Sequence, residues 1–146
     1  MLGKPVQVWP RFLSRPVDTA GCFLNGSLST MSEHFVEFVR EYHGVTFAEA
    51  VEFLEEIMPV SGLFRIQFAD DPAILLWAGL SQPAATLMAD LLNRRELFLR
   101  PCDRLLYVAD GRLLDAPVSD GRSPGWFPCV LTAERWGDGW QVEIVE

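Results

Sequence analysis

The chain of 146 residues predicts an α+β domain that carries an irregular N-terminal arm and a C-terminal β-hairpin. Three observations predict that class. Apolar residues form 49% of the chain and charged residues 22%, the balance of a folded domain rather than of a disordered acidic tail. Between Thr30 and Arg95, apolar side chains recur mostly at the offsets of one helix face. Beyond Leu97 the runs shorten and are separated by Asp, Gly and Pro, the punctuation of strands and hairpins. The length fits one domain, divided by pattern into an arm at 1–29, a main unit at 30–115 and a hairpin extension at 116–146 packed on the same core.

Taken in order, the arm holds Pro5, Pro10, Pro16, Gly3, Gly21 and Gly26 around the apolar cluster Val6, Val8, Trp9, Phe12 and Leu13, which reads as irregular chain with a short strand. Lys4, Arg11 and Arg15 against Asp18 make it the one basic stretch, either a minor contact surface or a tail whose aromatics dock on the core. Thr30 and Glu33 offer a capping box for a first helix bearing Phe35, Phe38, Val39 and Tyr42 and ending at Gly44. Thr46 and Glu49 repeat the device for a second helix, Phe47 to Met58, stopped by Pro59 and Gly62. Leu63 to Phe68 alternates loosely, as a short strand does. Asp70, Asp71 and Pro72 read as the start of a short apolar helix, Ala73 to Ala78, which Gly79 breaks. Ser81 and Pro83 then open a helix that runs to about Arg95. Phe98 to Arg100 and Arg104 to Ala109 read as strands around a turn at Pro101, Cys102 and Asp103. Asp110 and Gly111 form a two-residue hairpin signal leading into Arg112 to Leu114. After a polar loop from Ser119 to Gly125, Trp126 to Trp136 and Trp140 to Val145 read as a last hairpin around Gly137, Asp138 and Gly139.

Two helices meeting at a glycine turn make a helix-turn-helix candidate, and the whole order, ending in a two-stranded hairpin, is that of a winged helix. Ala78, Gly79, Leu80, Ser81, Gln82, Pro83 and Ala84, followed by Leu91, Leu92 and Leu97, resemble the turn and recognition helix of arsenic-repressor-type and antibiotic-resistance-type bacterial regulators, over about residues 66–107. The resemblance implies a winged-helix core and a non-catalytic transcription regulator that binds double-stranded DNA. Regulators of that type usually dimerise, so it also implies a homodimer. On this reading Gln82, Thr86 and Asn93 face the groove, Arg94 and Arg95 flank it, and Arg100, Arg104 and Arg112 touch the phosphate backbone, with Arg122 nearby.

Charge supports an alternative. Twelve basic residues against 20 acidic give a formal charge of -8, so attraction to nucleic acid or to an anionic membrane is not a global property. No cation lies in the first three turns of the helix after Ser81, and Asp90 on its polar stripe would repel phosphate. Glu49, Glu52, Glu55 and Glu56 concentrate acid on the second helix, as a solvated face or a docking surface. Trp126, Trp136 and Trp140 supply either a compact aromatic core or a partner surface. The alternative is therefore an acidic protein–protein interaction module, or inhibitor, that docks on a basic nucleic-acid-handling partner.

Neither catalysis nor a metal or cofactor is expected. His34 and His43 are nine residues apart, about two and a half helical turns, which is not the one-turn spacing of a shared metal site. Cys102 and Cys129 are able to meet on neighbouring strands but have no Cys-x-x-Cys companion, so free thiols are expected. With Cys22 the cysteines are odd in number and widely spaced, which fits a reducing, cytoplasmic setting. Asp70 and Asp71 are accounted for by helix capping, and glycine-rich phosphate loops are absent. No apolar run approaches the ~20 residues of a membrane helix, and the opening residues lack the order of a signal peptide.

Overall fold

A computed structural model describes residues 28–146; the arm expected at 1–29 therefore falls, through Ser27, outside the described residues. The described residues form an α+β fold of four helices and two sheets. Helix α1 (Leu28–Glu41) buries Phe35, Phe38 and Val39, the face its spacing predicts. It opens two residues before Thr30, so Thr30 lies inside the first turn and the expected capping box with Glu33 is not its start. It closes in a left-handed turn, where His43 and Gly44 take φ 57° and 113° and the Gly44 N–H donates to the Val39 carbonyl at 3.2 Å.

Strand β1 (Val45–Thr46) leads directly into α2 (Phe47–Glu55). Here the capping box forms as the sequence predicts: Thr46 Oγ1 accepts from the Glu49 N–H and Glu49 Oε1 from the Thr46 N–H, both at 3.0 Å. The helix ends at Glu55 rather than at Met58: Pro59 has no N–H for the Glu55 carbonyl and its ring would clash with it, while Met58 ahead of the proline is disfavoured in helical geometry.

β2 (Ser61–Phe68) and β3 (Ile74–Leu80) pair antiparallel, with Ile66 opposite Trp77 and Gln67 opposite Leu75. The helix expected over Ala73 to Ala78 is thus a strand, and the Gly79 turn does not join two helices. A seven-residue apolar run is too short for periodicity to separate strand from helix. Asp70, Asp71 and Pro72 serve as the hairpin turn, which the Ile74 N–H closes on the Asp71 carbonyl at 3.0 Å. Gly62 is required at the other end of the hairpin: a Cβ there would stand 2.6 Å from the Leu80 carbonyl oxygen.

Ser81 then caps α3 (Gln82–Asn93), accepting from the Ala84 N–H at 3.2 Å and donating to the Pro59 carbonyl at 2.8 Å. The helix buries Ala84, Leu87, Met88, Leu91 and Leu92 and stops at Asn93, where Arg95 turns left-handed at φ 61°.

β4 (Phe98–Pro101) follows, but the residues expected as its hairpin partner, Arg104 to Ala109, form α4 (Leu105–Asp110). The Asp103 carboxylate accepts from the Leu105 N–H at 2.9 Å, and Gly111, at φ 77°, closes the helix. The Asp110–Gly111 signal marks a helix end and not a hairpin, since left-handed glycine serves either. One buried residue anchors this exposed helix. Tyr107 Oη donates to the Cys129 carbonyl at 2.6 Å and accepts from the Phe47 N–H at 3.1 Å, while its ring packs on Trp77 and Trp126.

β5 (Gly125–Trp126) runs parallel to β3, β6 (Cys129–Thr132) lies between β1 and β4, and β7 (Val142–Val145) pairs with β2. The sheets are ordered β1-β6-β4 and β5-β3-β2-β7. The expected C-terminal hairpin therefore does not form. β6 already has a neighbour on each edge, so the chain crosses at Gly137 to Gly139 to the free edge of β2.

Candidate functional site

The polar stripe of α3 does not project freely. Gln82, Thr86, Asp90 and Arg94 form one wall of a groove of about 620 Å³, whose other side carries Ser32 and Glu33 of α1 and Glu96. A shallower depression across α1, holding Glu33, Glu37, Arg40 and Glu96, shares two of those residues and extends the groove. Both arginines are answered locally: Arg40 pairs with Glu37 at 2.7 Å and Arg94 with Glu96 at 3.1 Å. Glu33 and Asp90 have no cation among the described residues, so the groove presents two uncompensated carboxylates.

The residues expected to contact DNA are dispersed. Gln82 is exposed and Thr86 half-buried on the groove wall. Asn93 is not available for base reading, because Nδ2 donates to the Val142 carbonyl at 3.0 Å while Oδ1 accepts from the Val142 N–H at 2.8 Å, a double clasp on β7. Arg95 turns its Nε to the Asp138 carbonyl at 2.8 Å. Arg100 lines a different cavity with Thr46 and Asp110. Arg104 and Arg112 flank α4, both exposed, rather than lying on a β wing. Arg122 is exposed in the loop ahead of β5, where its backbone N–H donates to Asp120. That carboxyl is held below the usual range by N–H donors from Arg122 and Ser123.

The residues expected to meet a protein partner divide as well. Glu55 and Glu56 are exposed, and Glu52 is half-buried with its carboxyl raised by burial, an effect the Arg112 guanidinium opposes. Glu49 is buried and spends its carboxylate on the α2 cap. Trp126 is 1% exposed inside the aromatic core, so it is no surface residue. Trp136 and Trp140 do reach solvent, Trp140 while packing on Phe68 and Phe127.

Cys102 and Cys129 are unpaired thiols, and burial pushes Cys102 up to about 11 and Cys129 well above its usual range. His34 Nδ1 lies 2.9 Å from the Thr30 carbonyl, and His43 is exposed. Among the described residues no three His, Cys, Asp or Glu side chains gather to hold a metal, and no helix is long and apolar enough to cross a membrane. The sequence did not reveal that Glu33, Asp90 and Glu96 converge, since only the contact of α1 with α3 brings them together. Comparison of the chain with family models, with curated proteins and with solved structures found no match.

Proposed function

We propose that this protein is a non-catalytic interaction module, built on a winged-helix-like core, that binds a basic polypeptide segment such as one on a nucleic-acid-handling protein. The observation that carries this reading is the groove between α1 and α3, where Asp90, on the helix face that a DNA reader would need to be cationic, and Glu33, across from it on α1, have no cation paired with them among the described residues. A lysine or arginine entering there meets two carboxylates, while the groove's own arginines are engaged by Glu37 and Glu96. Exposed ion pairs contribute only about 0.2–1 kcal/mol each, so binding sums several contacts and weakens with salt. The winged-helix part rests on α3 leading straight into β4, whose antiparallel partner is β6; the β2–β3 hairpin between α2 and α3, and helix α4 between β4 and β6, interrupt that order. A cytoplasmic site of action fits the unpaired thiols of Cys102 and Cys129.

A second reading, a transcription regulator on double-stranded DNA acting as a homodimer, is favoured by exposed Gln82, Arg104 and Arg112. Fluorescence anisotropy separates the two, with a labelled Lys/Arg-rich peptide and mixed duplex DNA each titrated at ~50 mM and ~200 mM salt. The expected result is peptide binding that weakens with salt and is lost in the Glu33→Lys, Asp90→Lys double variant, whose circular dichroism stays unchanged. Steeply salt-dependent duplex binding that falls on Arg104→Ala and Arg112→Ala would replace this reading with the second. No binding to either probe would overturn both.

A further inference from the structure

Away from the groove, the turn after α1, the start of α2, strand β4 and helix α4 enclose a cavity of about 170 Å³. Its walls carry opposite charges that do not meet. Arg100 reaches it from β4 and Asp110 from the end of α4, both half-buried, and among the described residues no carboxylate lies within ion-pair distance of the Arg100 guanidinium. Asp110 accepts one hydrogen bond, from Thr46 Oγ1 to Oδ2 at 2.6 Å, which leaves Oδ1 open. Glu49 also lines the cavity, but its Oε1 is held by the Thr46 N–H. Gly44 leaves room for the guanidinium, since a Cβ there would stand 3.1 Å from Nη2. A half-buried cation and a half-satisfied carboxylate facing one space together suit a ligand that carries both charges.

We propose that this cavity binds a small zwitterion of amino-acid size, with its carboxylate on the Arg100 guanidinium and its ammonium on the free oxygen of Asp110. A planar guanidinium matches a carboxylate through two parallel hydrogen bonds. The size agrees, since a cavity of roughly 150 Å³ takes a benzene-sized molecule, and about six to eight non-hydrogen atoms therefore fit. The wall selects the class: Asp110 repels a phosphate-like dianion, whereas Arg100 repels a simple cation. Leu106 and Val130 offer apolar surface to a short side chain. The ligand would bridge β4 and α4.

The test is an amide chemical-shift titration of the full chain with L-alanine, propionate, ethylammonium and inorganic phosphate, each to tens of millimolar. L-Alanine is expected to give saturable shifts at Arg100, Thr46 and Asp110, with propionate and ethylammonium at least tenfold weaker. Arg100→Gln should abolish the response to L-alanine, and Asp110→Asn should bring L-alanine down to the level of propionate, while the core amides of Leu54 and Met88 keep their shifts in both variants. No saturable response to L-alanine, equal binding of propionate by the unaltered protein, or tighter binding of phosphate would each overturn the proposal.

Discussion

Replacing Asn93 with alanine tests whether this side chain is a fastener or a reader. Its amide makes two hydrogen bonds to the main chain of Val142, at 2.8 and 3.0 Å, and Val142 is 4% exposed. Each bond contributes about 1 kcal/mol net, and a buried N–H or C=O left unpaired costs about 1–3 kcal/mol. Asn93 itself is half-buried, so water partly replaces the lost partner, and alanine recovers up to about 0.7 kcal/mol in helix propensity. The balance is a loss of about 2 kcal/mol. For a domain of this size that lowers Tm by roughly 5–10 °C. Urea unfolding followed by tryptophan fluorescence reads the change directly, as a lower midpoint at unchanged m. Asn93→Asp should be at least as damaging, because its carboxylate still accepts from the Val142 N–H but opposes the Val142 carbonyl oxygen. Stability of both variants within about 0.5 kcal/mol of the unaltered chain would refute the reasoning.

Two further outcomes follow from buried groups. Tyr107→Phe removes a hydroxyl that serves the Cys129 carbonyl and the Phe47 N–H in the core, and should cost about 2–4 kcal/mol in chemical denaturation with little change in the far-ultraviolet spectrum. The Cys102 thiol ionises near 11 rather than at its ordinary 9.0, so the native protein holds its proton where the unfolded chain releases it, and this contribution to stability is full below about pH 9 and lost as pH rises toward 11. Alkylation of Cys102 by iodoacetamide, followed at that site by peptide mass spectrometry, should accordingly be slow at pH 8 and quicken toward pH 11, and Cys102→Ser should flatten the stability profile in that window.

What could be read in the sequence was what neighbours decide. The α2 cap needs only Thr46 and Glu49, three residues apart, and the α3 cap only Ser81 and the Ala84 N–H; both form as read. Where local signals were ambiguous, distant partners chose. The run Ile74 to Leu80 is apolar enough for a buried helix or a buried strand, and β2 and β5 on its two sides decide for the strand. Leu105 to Asp110 has strand-like composition, yet Tyr107 reaches Cys129 and Phe47 only from a helical turn. Of the candidate contact residues, Gln82 and Thr86 were legible because their spacing from the buried leucines sets their side of α3. Asn93 has the same spacing, and its clasp on Val142 depends on a strand almost fifty residues away.

The placing of β6 bears on how the chain acquires its structure in time. Val45 faces Leu131 and Leu99 faces Leu131 across the same strand, so among the described residues neither β1 nor β4 has a sheet partner until the segment at Cys129–Thr132 arrives. Loop-closure entropy must be met before those ladders form, which makes this sheet a late event and the β2–β3 hairpin an early one. In synthesis from the N-terminus, the segments of β1 and β4 are made before their partner β6. In that interval the nascent chain exposes two unpaired strands, the state in which chaperones or proteases would meet it.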